Sequence, residues 1–131
     1  MSKKIIFEDR NNDWEIWEKN SSIERSIKRI QNKLPEMEAS KQLSKIVKRI
    51  YRNNYSILDF GCAAGHYYNS LKKIDKDINY CGFDSTKAYI SYAKKHFKKN
   101  KNIKFDVQSL FSMAKKYKNN FDIVFCSNVL H

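Results

Sequence analysis

The spacing of hydrophobic residues changes near residue 55 and divides the chain into two kinds of segment. Before this point, apolar residues recur every three or four positions, as on the buried face of an amphipathic helix. After it, short apolar runs alternate with helical stretches, which is typical of strand–helix–strand units in a parallel sheet. We therefore predict an N-terminal helical segment over residues 1–54, packed on a sheet-containing domain over residues 55–131.

Three helices are predicted in the N-terminal segment. Residues 13–19 form a short candidate that carries both tryptophans, and isoleucines at helical spacing predict a second helix over residues 22–33. Pro35 is expected in the first turn of a third helix that continues to about Arg52, because proline lacks the N–H group that the first turn leaves unpaired. All three helices are expected to pack on the sheet domain.

Four apolar runs in the second segment predict strands. They cover residues 55–60, 78–83, 103–108 and 121–126, and helical stretches are predicted at residues 66–74 and 85–97, with a short helix or turn at 110–117. Right-handed crossovers between parallel strands then predict helices on both faces of the sheet.

A bend of very small residues follows the first predicted strand. Gly61 and Gly65 enclose Cys62, Ala63 and Ala64, and Asp59 lies just before them. In open parallel sheets ligands bind beyond the carboxyl ends of the strands, where small residues let a ligand approach the backbone. The following helix start is expected to offer unpaired N–H groups to an anionic group.

The spacing in this bend favours one ligand class over another. A dinucleotide fingerprint needs glycines two and then three positions apart, whereas Gly61, Ala63 and Gly65 are spaced two and two. The carboxylate of Asp59 would repel a pyrophosphate but would suit an ammonium group. The bend therefore fits a zwitterionic amino acid better than a diphosphate.

Three segments, in order, resemble the motifs of the class I S-adenosylmethionine-dependent methyltransferases. Residues 57–65 (ILDFGCAAG) resemble the first motif, residues 80–84 (YCGFD) the second, and residues 121–131 (FDIVFCSNVLH) the fourth strand and the segment after it. The resemblance spans residues 55–131. It implies a Rossmann-like α/β fold with strand order 3-2-1-4, S-adenosylmethionine as the cofactor, and methyl transfer by direct displacement.

The resemblance also implies which residues contact the cofactor. Those expected around the methionine moiety are Asp59, Gly61, Cys62 (through its backbone), Ala63 and Gly65. Those expected at the ribose, the adenine and the methyl group are Asp84 with Ser85, Ser109 with Leu110, and Asn128, in that order. No residue is identified as a general base, and no metal is expected.

The sequence departs from the family pattern in two places, and both acids have a structural alternative. Ala63 stands where the family has its middle glycine, and Gln108 and Ser109 stand where an acid is common at the end of the third strand. Asp59 could simply cap a turn, and Asp84 could simply cap the following helix.

Charge and cysteine content bear on the partners of the chain. The formal net charge of +12 indicates a basic surface, but only five of the 26 basic residues are arginine, the better side chain for gripping phosphate. Residues 127–131 lack the Asn/Asp-Pro-Pro-aromatic pattern of nucleic-acid amino methylation and resemble the small-molecule methyltransferases, so a small-molecule acceptor is expected. RNA is the alternative, supported by charge alone. Three cysteines without metal-ligand spacing predict reduced, mostly buried thiols in a cytoplasmic protein.

Two other functional classes stay open, and the length of the chain bears on its completeness. A nicotinamide-dependent oxidoreductase and a non-catalytic binding module are the remaining alternatives. No apolar stretch predicts a signal peptide or a membrane span. The sequence stops five residues after the fourth strand, so we expect the chain to be an incomplete domain whose further strands would shape the acceptor pocket.

Overall fold

The computed structural model describes residues 20–109, 112, 116 and 120–126. Their elements, in chain order, are α1 (Asn20–Ile30), α2 (Glu38–Ile50), β1 (Ser56–Phe60), α3 (His66–Leu71), β2 (Asn79–Asp84), α4 (Lys87–His96), β3 (Ile103–Val107) and β4 (Ile123–Cys126). The candidate helix at residues 13–19 and most of residues 110–117 lie outside the described residues.

The four strands form one parallel sheet with the order β3-β2-β1-β4. This confirms the predicted α/β, Rossmann-like architecture and its strand order. In the register, Asp59 of β1 lies opposite Gly82 of β2, and Asp84 of β2 lies opposite Val107 of β3. Because all strands run the same way, the carboxyl ends of β1 and β2 meet at one edge of the sheet.

Aromatic side chains fill the layer between the sheet and the helices. Tyr80 of β2 and Phe105 of β3 lie in one buried cluster with Tyr68 of α3 and with Phe97, which directly follows α4. Neighbouring rings in this group are 5.0–5.7 Å apart, and two of the four pairs are edge to face. Each such pair contributes about 0.5–1.5 kcal/mol beyond its buried area. Helices α3 and α4 thus pack on one face of the sheet; helices on the other face stay a prediction.

Helix α2 begins later than the sequence suggests. It starts at Glu38, and Met37 before it is still extended, with φ −64° and ψ 142°. The prediction that Pro35 occupies the first helical turn is therefore wrong: Pro35 lies in the connection from α1, which turns at Asn32 with a φ of 60°.

The three cysteines differ in exposure. Cys62 is buried, Cys81 is half-buried and Cys126 is exposed, and none forms a disulfide with another. The expectation of mostly buried thiols is wrong for Cys126, because it ends β4, the edge strand of the described sheet. Val124 of the same strand is 59% exposed. Among the described residues, no helix is long and apolar enough to cross a membrane.

Candidate cofactor site

The bend after β1 has a left-handed backbone at alternate positions. The φ angles are 79° at Gly61, 49° at Ala63 and 99° at Gly65. Glycine adopts such angles without steric cost, whereas an L-residue pays about 1–2 kcal/mol. Ala63 is therefore the strained position of this bend, and it is the position where the family pattern has a glycine.

The bend uses its own N–H groups to hold its shape. Each of the five N–H groups from residue 61 to residue 65 donates within the chain. Those of Gly61 and Cys62 donate to the Phe83 carbonyl (2.7 and 3.0 Å), that of Ala63 to Asp84 Oδ2 (3.0 Å), that of Ala64 to Ser26 Oγ (3.3 Å) and that of Gly65 to the Cys62 carbonyl (3.0 Å). The expectation of unpaired N–H groups concerns the start of α3, which begins at His66, and it stays a prediction.

Asp59 is fully buried in β1, and only one of its carboxyl oxygens has a partner. The Tyr80 hydroxyl donates to Oδ2 at 2.5 Å, while Oδ1 accepts no hydrogen bond from the described residues. Burial raises the pKa of Asp59 to about 7; the Tyr80 hydrogen bond opposes this and the charge of Asp84 adds to it. A buried acceptor without a donor is costly, so this oxygen is suited to a cationic or hydrogen-bonding partner.

Asp84 ends β2 and holds two neighbouring segments together. Its Oδ2 accepts the Ala63 N–H at 3.0 Å, and its Oδ1 accepts the Thr86 N–H at 2.9 Å, just before α4. Burial raises the pKa of this carboxyl, and the hydrogen bonds from Thr86 and Ala63 oppose the rise. Asp84 thus holds the turn before α4 and does not cap the helix itself, which begins at Lys87.

Gly65 and Cys62 contribute to the core below the bend. A Cβ atom at Gly65 would lie 2.9 Å from Phe97 Cε2 and 3.0 Å from Phe105 Cζ, and one at Gly82 would lie 2.9 Å from Cys62 Sγ. Gly65 is therefore required by helix–sheet packing. Burial raises the pKa of the Cys62 thiol well above its ordinary range, so this sulfur is inert and only the Cys62 backbone borders the bend.

The remaining predicted contacts lie at the rim or outside the described residues. Ser85 is exposed beside Asp84, and Ser109 is exposed after β3, where its N–H donates to Ser112 Oγ at 3.0 Å. Leu110 and Asn128 lie outside the described residues. The adenine and methyl-group ends of the expected site therefore stay predictions.

Two residues that the sequence did not single out support the site. Tyr80 orients Asp59 from the neighbouring strand, and its position on the same face follows from strand alternation once the register is known. Ser26 of α1 accepts the Ala64 N–H and so ties the N-terminal segment to the bend. No sequence signal identifies Ser26, because the contact spans 38 positions.

The two carboxyl groups fit a ligand with a positive charge and hydroxyl groups. Asp59 and Asp84 lie on the same sheet face near the same edge, and neither forms an ion pair within the described residues. The unpartnered Oδ1 of Asp59 suits an ammonium group, and the carboxyl group of Asp84 at the end of β2 suits ribose hydroxyls. These are the polar groups at the two ends of the methionine-ribose portion of S-adenosylmethionine.

Comparison with known proteins identifies the family. A family model described as a methyltransferase domain matches residues 51–131. The chain belongs to the S-adenosylmethionine-dependent methyltransferases. The predicted class I family and its cofactor are thereby confirmed, and the matched residues include β1 to β4 with the bend between β1 and α3.

Curated relatives act on RNA. A tRNA (guanine-N(7)-)-methyltransferase of Clostridium botulinum (strain Hall) is 31% identical over 102 residues, which are 66% of this chain and 47% of that protein. The homologue from C. botulinum strain Okra is 30% identical over the same length. The chain spans about half the length of the curated relatives it matches.

Two solved structures share the fold of this methyltransferase domain. A putative caffeoyl-CoA O-methyltransferase from Staphylococcus aureus matches with a TM-score of 0.56 and 20% identity, over 94% of this chain and 58% of that one. The YcgJ protein of Bacillus subtilis matches with a TM-score of 0.52 and 23% identity, over 66% and 36%. At these identities the likeness concerns the fold alone.

Proposed function

We propose that this methyltransferase domain binds S-adenosylmethionine between the bend at residues 61–65 and Asp84, as part of an enzyme that transfers the methyl group to an acceptor. The observation that carries the proposal is the pair formed by Asp59 and Asp84 at one sheet edge, with one buried Asp59 oxygen unpartnered. Asp59 would hold the ammonium group and Asp84 the ribose hydroxyls. Gly61 and Ala63 would line the approach to the methionine moiety.

In this proposal the protein residues orient the ligand and complement its charge. They form no covalent bond with it. When bound, S-adenosylmethionine supplies a methyl group already activated by its sulfonium. Tyr80 fixes the orientation of the Asp59 carboxyl, and Asp84 fixes the bend through the Ala63 N–H. An ammonium beside Asp59 favours the ionised carboxylate, since an opposite charge nearby lowers a carboxyl pKa. Positioning of the acceptor can supply roughly 7–11 kcal/mol of the barrier in such reactions.

A binding measurement on the chain tests this assignment. Calorimetry with S-adenosylmethionine should show binding, and Asp84→Asn and Asp59→Asn should each weaken it at least tenfold. Asp77→Asn is the matched control, because Asp77 is exposed before β2, at the opposite end of the sheet. Wild-type affinity in the Asp84→Asn variant would overturn the assignment. Binding of NAD instead would indicate the oxidoreductase alternative, and binding of neither ligand the non-catalytic one.

RNA is the acceptor class that the comparisons favour. The curated relatives methylate tRNA, and the net charge of +12 supports a polyanionic partner. Residues 87–104, which include α4, carry seven lysines and no acidic residue. A small molecule stays the other candidate, because residues 127–131 resemble those of small-molecule methyltransferases.

The two acceptor classes give different outcomes in one assay. The whole protein would be incubated with methyl-labelled cofactor and either total RNA or a small-molecule extract. RNA is supported as the acceptor if the methyl label appears in RNA and is lost on nuclease treatment. Added salt should then reduce the labelling steeply, because it weakens binding to the phosphates. Label only in the small-molecule fraction would support the other class. A cytoplasmic location is proposed with either acceptor.

A further inference from the structure

A polar pocket lies away from the proposed cofactor site, between the end of α1, the α1–α2 connection, the start of α2 and the outer face of α3. Its volume is about 300 Å³ including the open mouth. Arg29, Glu36, Ser40, His66, Asn69 and Lys73 are among the lining residues. It shares none of Asp59, Gly61, Ala63 and Asp84 with the cofactor site.

Three nitrogen atoms in this pocket are buried without hydrogen-bond partners. They are Nε of Arg29 and both ring nitrogens of His66, and no described residue is bonded to any of them. Leaving a buried polar group without a partner costs about 1–3 kcal/mol, and more for a charged one. Such groups are rare in folded proteins, and a bound water or ion is one way in which they are satisfied.

The charges of the pocket select an anion. Arg29 forms no ion pair within the described residues, and Lys73 pairs only loosely with Glu36, at 3.7 Å. Burial and the nearby Arg29 charge lower the pKa of His66 to about 4, so the ring is neutral at pH 7 and one of its nitrogens is a donor. Arg29 and Lys73 carry two positive charges and Glu36 one negative charge. The pocket therefore has a net charge of one positive unit, with His66 as a neutral donor.

Fixed polar groups shape the rest of the pocket. The Asn69 amide donates to the Ile30 carbonyl at 3.3 Å and to Asn32 Oδ1 at 3.1 Å, so its orientation is set by the end of α1. Ser40 is buried at the start of α2 and lies in the same wall. The donors therefore come from α1, α2 and α3 together, and the pocket exists only when these helices are packed.

We propose that this pocket binds a phosphate-sized oxyanion, with Arg29 and the His66 N–H as its principal donors. The planar guanidinium matches the oxygens of phosphate and related anions. Lys73 would add charge from the turn that follows α3. The same α1 helix ties down the bend through Ser26, so an anion that fixes α1 against α3 would also stabilise the bend, without contacting it.

Inorganic phosphate is the probe, with chloride at equal ionic strength as the reference. Phosphate should bind one to one by calorimetry and shift the ring resonances of His66 in NMR spectra. Arg29→Gln should weaken this binding at least tenfold. Arg25→Gln should leave it within twofold, because Arg25 is exposed one turn earlier on the same helix. Lys73→Gln should weaken it severalfold, and Lys76→Gln, at an exposed position, should not.

Two outcomes would overturn the proposal. One is a His66 resonance that moves no further with phosphate than with chloride, which would mean that water alone fills the pocket. The other is equal loss in Arg25→Gln and Arg29→Gln, which would mean diffuse attraction to a basic surface. If Arg29→Gln fails to fold, the NMR titration of the wild type alone tests whether the pocket binds phosphate. Binding of sulfate in place of phosphate would support the same anion site.

Discussion

Tyr80 donates its hydroxyl hydrogen to Asp59 across the β1–β2 pair, and both side chains are buried almost completely. The bond satisfies one carboxyl oxygen and leaves the other without a donor. It therefore fixes the direction of a carboxyl group whose ionisation is penalised by its surroundings. One oxygen of Asp59 is thus fixed by the core of the sheet, and the other is left as the acceptor for the proposed ammonium group.

Asp59 should make the stability of the ligand-free chain fall as the pH rises. Its folded pKa of about 7 lies above the ordinary value of 3.8, so the protonated form is favoured by folding. The contribution is complete below about pH 4 and is lost as the pH rises through 7, with a total of roughly 4 kcal/mol. Urea unfolding from pH 4 to pH 8 measures this as a fall in the stability of the wild type relative to Asp59→Asn, because the asparagine does not titrate.

The control for that series is Asp77→Asn, which should keep the wild-type pH dependence. A constant difference between the wild type and Asp59→Asn over the whole range would show that Asp59 does not titrate there. Saturation with S-adenosylmethionine should reduce the dependence, because an ammonium beside Asp59 stabilises the ionised form.

Removing the Tyr80 hydroxyl should destabilise the chain and raise the Asp59 pKa further. Tyr80→Phe leaves both Asp59 oxygens without a donor, at a cost of about 1–3 kcal/mol, and removes the hydrogen bond that opposes the rise in pKa. Denaturant unfolding at pH 5 and pH 8 checks both effects. Tyr68→Phe is the matched control, because its hydroxyl accepts from Asn100 at 3.0 Å instead; an equal effect on the pH dependence there would contradict the assignment.

Gly65 and Gly82 should both resist substitution, for partly different reasons. A Cβ atom at Gly82 would lie 2.8 Å from the Phe105 ring, and one at Gly65 would overlap both Phe97 and Phe105 with φ at 99°. Each alanine variant should lose at least about 2 kcal/mol of unfolding free energy, and Gly65→Ala should lose about 1–2 kcal/mol more through its backbone. Thermal or urea unfolding measures both losses.

A second substitution separates the two causes. Phe105→Leu makes room beside residue 82, so it should recover part of the loss in Gly82→Ala. It should recover less in Gly65→Ala, where Phe97 and the left-handed backbone still act. Equal recovery in the two backgrounds would show that the backbone angle at Gly65 carries little of the cost.

The sheet and the bend could be predicted from local sequence, whereas the contacts that complete the site could not. Apolar runs such as residues 57–60 predict buried parallel strands because both strand faces are covered, and Gly61 and Gly65 mark the positions that need a positive φ. The hydrogen bond from Ala64 to Ser26 and the pocket at His66 depend on how α1 packs against α3. Such long-range packing leaves no local pattern, so neither could be foreseen.

Replacing Ala63 by glycine should stabilise the chain slightly. Its φ of 49° costs an L-residue about 1–2 kcal/mol, and the greater freedom of glycine in the unfolded chain returns about 0.5–1 kcal/mol of that. The net gain should be up to about 1 kcal/mol by urea unfolding. Ala64→Gly is the neighbouring control: Ala64 is fully buried with no positive φ, so that variant should instead lose about 1 kcal/mol or more. Destabilisation of the same size in both variants would mean that the bend is not strained at Ala63, and that the alanine there is held by packing of its methyl group.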